Sequence, residues 1–204
     1  NITLHPATDL WTLEHGQDLN DNCLDAALAL IADAHDNTVA ITSHFSTQLR
    51  TRGWTQAKTL LPKYNPTDTL IIPVHTGGNT TARHWSLLIR KKTMEDGRYH
   101  FFYYDSLNSR QRAKVIETIL EASQLYASSR GDRWHNIQCC PQQGRTCGPV
   151  TALNAALALD STDHGASRQL ALRGIPNRGK ITHAWLKTCI NSKSIAPLRW
   201  IEEE

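Results

Sequence analysis

The stretch Pro141 to Leu159, PQQGRTCGPVTALNAALAL, constrains the fold more than any other. From Val150 to Leu159 almost every residue is small or apolar, which marks a helix enclosed on most sides, unlike the amphipathic helix of a protein surface. Gly148-Pro149 suits the start of that helix, since proline is tolerated in the first turn, where a backbone N–H has no partner. Cys147 therefore stands at the mouth of a buried helix. Unpaired N–H groups and the positive end of the helix dipole there favour a thiolate over a thiol. A structural cysteine is the competing reading, because free cysteines are among the most buried residues, and local sequence leaves both open.

A buried helix needs partners to enclose it, and the rest of the chain supplies them. Asp18 or Asn20 can cap a second apolar helix that runs through Cys23, Leu24, Ala27, Leu28 and Ile31. A weaker helical pattern covers Ile41 to Gly53. Thr69 to Val74 is a short apolar run bounded by Asp68 and Gly77-Gly78, which predicts a buried strand. His84 to Arg90 (HWSLLIR) and Tyr99 to Tyr104 (YHFFYY) flank a polar segment containing Asp96-Gly97, the signature of an antiparallel hairpin. A helix is predicted over Arg110 to Ala127, a strand over Arg133 to Cys140, and smaller helices over Arg168 to Leu172 and Ile181 to Ile190. This order gives an α+β fold, a mixed central β-sheet packed on the cysteine helix. With 204 residues and 40% hydrophobic content, one domain over residues 1–204 is expected.

Charge and cysteine content narrow the function classes. The 22 basic and 19 acidic residues leave a net charge of +3, too balanced to argue for nucleic acid or an acidic membrane. No apolar stretch approaches the roughly 20 residues of a membrane span, and no signal peptide is expected. Five cysteines, an odd number in a chain too long to depend on disulfide staples, point to a reducing, intracellular compartment, the cytoplasm or nucleus, including that of a host cell if the protein is a secreted effector. A zinc set of His135, Cys139, Cys140 and Cys147 is disfavoured, because adjacent cysteines on a strand point to opposite faces and no C-x-x-C pair occurs. No metal and no other cofactor is expected.

The hairpin carries the next clue. Its first strand opens on His84 and its second closes on Asp105, so antiparallel pairing brings both to one end of the sheet. In chain order the candidates are then His84, Asp105, a glutamine of the Gln142-Gln143 pair, and Cys147. These are the parts of a thiol protease: a base, its orienter, an oxyanion donor and a nucleophile.

Four segments in this order resemble the ubiquitin-like-specific cysteine proteases, the SUMO protease group. Leu10-Trp11-Thr12-Leu13 followed by Asp18-Leu19-Asn20-Asp21 is similar to the family's opening motif. His84-Trp85-Ser86-Leu87 resembles its histidine strand, Tyr103-Tyr104-Asp105-Ser106-Leu107 its acid segment, and Pro141 to Gly148 its nucleophile loop. The resemblance implies a variant of the papain-like cysteine protease fold, with Cys147 as nucleophile, His84 as base and Asp105 as orienter. It implies Gln142, or alternatively Gln143, as the oxyanion donor. Trp85, the Asp18 position and Gly148 are implied around the modifier's tail. The family tryptophan is Asp18 here, the loop before Cys147 is two residues shorter, and the usual acidic residue before the nucleophile is Thr146. The implied activity is cleavage after the C-terminal Gly-Gly of ubiquitin or a related modifier such as SUMO, acting on its conjugates, by a deubiquitinase or deSUMOylase. The same clan also holds acetyltransferases that use the same triad to carry an acetyl group from acetyl-CoA, and a catalytically silent modifier-binding domain is a third expectation to test.

Overall fold

The computed structural model describes residues 3–14, 18–76, 84–123 and 125–198. The elements, in chain order, are α1 (Trp11–Glu14), α2 (Asp21–Asp33), β1 (Thr38–Ala40), α3 (Ser43–Arg52), α4 (Trp54–Ala57), β2 (Thr69–Thr76), β3 (His84–Lys92), β4 (Tyr99–Tyr104), α5 (Arg110–Ala122), β5 (Arg133–Ile137), α6 (Cys147–Leu159), α7 (Ala166–Gly174) and α8 (Arg178–Ser192). The strands form one mixed sheet in the order β1-β2-β3-β4-β5. The two inner pairings, β2 with β3 and β3 with β4, are antiparallel, and the outer two are parallel.

Strand β3 shows why the middle of the chain is so apolar. Trp85, Leu87 and Ile89 join the core that contains α2 and α6, while Leu88 joins a second core with Phe45 and Leu49 of α3 and Ile116 and Leu120 of α5. Side chains alternate across a strand, so a sheet covered by helices on both faces needs apolar residues at nearly every position. Helix α6 lies within the first of these cores, and its residues from Cys147 to Ala158 are buried except for Val150. Among the described residues, no helix is long and apolar enough to cross a membrane.

The expected hairpin forms with Leu87 opposite Tyr104, and the cysteine helix begins at Cys147 itself. Asn20 is the cap of α2, its side chain accepting from the Cys23 N–H at 3.0 Å. Other boundaries differ. The strand expected to reach Cys140 ends at Ile137, where pairing with Tyr104 ends; beyond it Asn108 takes over, donating to the Cys139 carbonyl and accepting from its N–H, each at 2.9 Å. Helix α5 stops at Ala122 instead of Ala127, and the Ser123 hydroxyl turns back on the Leu120 carbonyl. The Gly77-Gly78 boundary lies outside the described residues.

Candidate active site

Strand β3 delivers His84 and strand β4 delivers Asp105 to the same end of the sheet, where α6 presents Cys147 from its first turn. His84 and Asp105 are 2% and 3% exposed, and His84 Nε2 lies 2.7 Å from Asp105 Oδ1. Asp105 also accepts from the backbone N–H groups of Leu107 at 2.9 Å and Ser109 at 3.2 Å. Burial alone would push its carboxyl up, but these bonds and the His84 charge outweigh burial and hold it below the ordinary carboxylate range. An ionised carboxylate only accepts, so Nε2 must carry the proton it shares with Asp105. The nitrogen left for the thiol is Nδ1. Burial pulls the His84 imidazole down, yet hydrogen bonds to Asp105 and to Cys147 raise it above its ordinary value. The three side chains thus form one connected acid, base and thiol arrangement, able to store a proton on the imidazole while sulfur attacks an electrophilic carbon.

A cleft of about 440 Å³ opens onto Cys147. Trp85 forms one wall. Its indole Nε1 donates to the Leu19 carbonyl at 3.0 Å, and His75 leans on its ring at 4.7 Å between centroids. Asp18, exposed, lines the same cleft, so Trp85, Asp18 and Cys147 share one concave surface. Gly148, the third residue expected around the tail, sits differently from Trp85 and Asp18. Gly148 is buried and does not line the cleft; a Cβ there would stand 2.6 Å from Leu19 Cβ, so its missing side chain lets the Leu19 segment lie against the nucleophile helix.

Gly144, at φ +62°, closes the short loop before the nucleophile in a conformation that favours glycine. The two glutamines leave this loop in different directions. Gln142 Oε1 accepts from the Ser106 hydroxyl at 2.8 Å and its Nε2 donates to the Gly144 carbonyl at 3.0 Å, while its backbone N–H donates to Ser106 O at 3.2 Å. Gln142 is therefore fastened to the residue next to Asp105. Gln143 instead accepts from the Gly179 N–H of α8 at 3.0 Å. Residues His135, Cys139, Cys140 and Cys147 do not assemble into a ligand set: among the described residues no group of three or more His, Cys, Asp or Glu side chains could hold a metal ion.

The catalytic domain model of the Ulp1 protease family matches residues 22–171. The chain belongs to the Ulp1 protease family. It is a cysteine peptidase domain with the Ulp1 protease fold. The X-ray structure of the C-terminal Ulp1 protease domain in complex with Smt3, the yeast ortholog of SUMO, is 21% identical with a TM-score of 0.63, over 96% of this chain and 86% of that one. A de-sumoylating protease is 12% identical at TM-score 0.60, over 96% and 88%. The ASFV pS273R protease is 15% identical at 0.52, over 90% and 79%. Comparison with curated protein sequences gives no match. The match beginning at residue 22 leaves out the Leu10 to Asp21 segment of this Ulp1-family domain, although Leu19 and Asp18 help build its cleft.

Several residues of the Ulp1-family cleft escape sequence reasoning. His75 reaches Trp85 because the two are register partners on β2 and β3, which a known hairpin register alone could have revealed. Asp9 does not line the cleft but supports it: it is 4% exposed, and its carboxylate accepts from the side chains of Asn22 and of the cleft residue Asn20 and from the His5 N–H. Ser43, His44 and Thr47 bring α3 to the cleft edge. That edge is anchored by Asp25, which accepts from the Ser43 N–H at 2.8 Å and its hydroxyl at 3.0 Å.

Burial pushes the Asp25 carboxyl up to about 6, against the lowering effect of the Ser43 bonds. A carboxyl raised on folding binds its proton more tightly in the native state. Its stabilising contribution is therefore complete below the unfolded value near 4 and is lost as pH rises through about 6. Asp25→Asn keeps an amide oxygen for the Ser43 N–H and removes the buried charge. The variant is expected to gain about 2 kcal/mol over the native chain between pH 4 and pH 8, read as the difference in urea unfolding free energy. An equal pH response in the two proteins would refute this account of Asp25.

Proposed function

We propose that this domain cleaves after the C-terminal Gly-Gly of a SUMO-type modifier, releasing it from lysine conjugates or trimming its precursor. The observation that carries the proposal is the Cys147, His84 and Asp105 arrangement at the end of the Trp85 cleft. Two residues without side chains suit a passage under an indole ring that is fixed to backbone and braced by His75. The complex of the Ulp1 domain with Smt3 supports a modifier of the SUMO type over ubiquitin.

In this reading the Cys147 thiol gives its proton to His84 Nδ1, and sulfur forms a bond to the carbonyl carbon of the last glycine. The oxyanion is held by the Cys147 N–H, at the free end of α6, and by Gln142. Gln142 does not line the Cys147 cleft, and its amide is held by Ser106 and Gly144, so in this reading its Nε2 turns to the oxygen only as the substrate binds. As the carbon–nitrogen bond breaks, His84 passes its proton to the leaving lysine amine. A water molecule, deprotonated by His84, then attacks the thioester, and the modifier departs with a free carboxylate while the Cys147 thiol is restored. Asp105 keeps the imidazole turned so that Nδ1 faces the sulfur throughout. Four further free thiols suit the reducing, intracellular compartment inferred for this chemistry.

The test is a panel of C-terminal electrophile probes built on SUMO, ubiquitin and other modifiers, with the adduct mapped by mass spectrometry. The SUMO probe should form an adduct on Cys147 at least ten times faster than the ubiquitin probe. Faster reaction with ubiquitin would reassign the modifier. No adduct with any probe, together with acetylation of Cys147 by acetyl-CoA, would replace hydrolysis by acetyl transfer.

A further inference from the structure

A second concave surface adjoins the nucleophile loop and has no part in the chemistry above. It is a groove of about 630 Å³ whose walls include Arg145 and Thr146 of the loop, Lys180, His183 and Lys187 of α8, and Glu14 of α1. It shares no lining residue with the Trp85 cleft; Thr146 lines the groove and its neighbour Cys147 lines the cleft. The surface is basic, with three permanent cations against one carboxylate. Among the described residues, none of the ion pairs includes Arg145, Lys180 or Lys187. His183 adds a buried Nε2 without a hydrogen-bond partner among the described residues.

The arrangement of these cations suggests the shape of the occupant. Lys180 and Lys187 lie seven residues apart on α8 with Ala184 between them on the groove side, so the stripe runs for about 10 Å along the helix. An extended polypeptide covers that length in about three residues. Cations spread along a line match a run of carboxylates better than one compact anion, which needs donors converging on a point.

We propose that this groove is a subsite for an acidic segment of the protein carrying the modified lysine. The inference rests on the modifier-protease reading: with the modifier's tail in the Trp85 cleft and its last carbonyl at Cys147, the groove is the adjoining concave surface open to the leaving chain. The exposed Arg145 and Lys180 and the half-buried Lys187 there select conjugates by charge, through both encounter rate and binding.

The experiment compares two isopeptide conjugates of one modifier, in which the acceptor lysine is flanked by glutamates or by lysines. At low salt the native domain should cleave the glutamate conjugate at least ten times more efficiently in kcat/KM. Lys180→Glu combined with Lys187→Glu should bring the two conjugates within about two-fold of each other. The same double variant should cleave a C-terminal fluorogenic amide of the modifier, which has no polypeptide leaving group, at the native rate. Equal cleavage of the conjugates by the native domain, or a preference that survives charge reversal, overturns the subsite. Displacement of a labelled glutamate peptide by a single-stranded oligonucleotide or by CoA at lower concentration than by unlabelled peptide also overturns it, in favour of that ligand. Failure of the modifier reading would show separately, as absence of any Cys147 adduct. In that event fluorescence anisotropy of the free glutamate peptide, on the native and double-variant chains, decides the groove alone: no binding, or equal binding to both, removes it.

Discussion

Cys147→Ala is expected to abolish adduct formation with modifier electrophiles and to lower conjugate cleavage by more than 1,000-fold, the order expected when a covalent nucleophile is removed. No other thiol can substitute. Burial pushes Cys139 up to about 12 and Cys23 up to about 11, and also raises Cys140 and Cys189. All four remain overwhelmingly protonated near neutrality. Alanine leaves the first turn of α6 intact and removes one small buried group, so unfolding free energy should fall by no more than about 1 kcal/mol. Modifier binding, measured by calorimetry or anisotropy, should persist. Continued labelling of the variant at any cysteine would remove Cys147 from the centre of the mechanism.

The second large effect separates orientation from mere presence of a base. Asp105→Ala leaves the proton on His84 Nε2 and the N–H groups of Leu107 and Ser109 without their shared acceptor. Activity should fall by about 100- to 10,000-fold, as loss of a triad orienter does elsewhere. Stability should fall by about 2–4 kcal/mol, because buried donors are left unsatisfied. Asp105→Asn distinguishes the two losses. Its amide oxygen can still accept from Nε2–H and from Leu107, while its NH₂ group faces the Ser109 N–H, donor against donor. Its probe-labelling rate should therefore exceed that of the alanine variant by at least ten-fold, with a stability loss of about 1–2 kcal/mol. Equal labelling by the asparagine and alanine variants, both shown folded by circular dichroism, would mean that Asp105 acts through its charge and not by turning the ring.

What could be read beforehand, and what could not, follows from the range of the interactions. The pairing of His84 with Asp105 is local in logic: two apolar runs and a polar turn fix a hairpin, and a hairpin fixes which residues share its end. The burial of α6 is equally legible, since its apolar residues surround the helix axis. The glutamine loop is different. Its geometry depends on Ser106 from the end of β4 and Gly179 from α8, and no periodicity in Pro141 to Thr146 encodes partners that distant. The surroundings of Gly148 are equally hidden: the space beside it is filled by Leu19, a residue far from it in the chain. Strand β1 spans only Thr38–Ala40 and exists because β2 offers it a parallel edge, a tertiary cause acting on a segment too short to show alternation.

Leu19 touches two different things. Its carbonyl holds the Trp85 indole, and its side chain fills the space left by Gly148 on the nucleophile helix. Mechanically that couples one flank of the cleft to the nucleophile helix, since a shift of the Leu19 segment moves the Trp85 wall and the first turn of α6 together. Asp18, next in the chain and exposed on the same cleft, carries no such double duty. A substitution at Asp18 would therefore alter the charge at the mouth of the cleft and leave the packing behind Cys147 as it is.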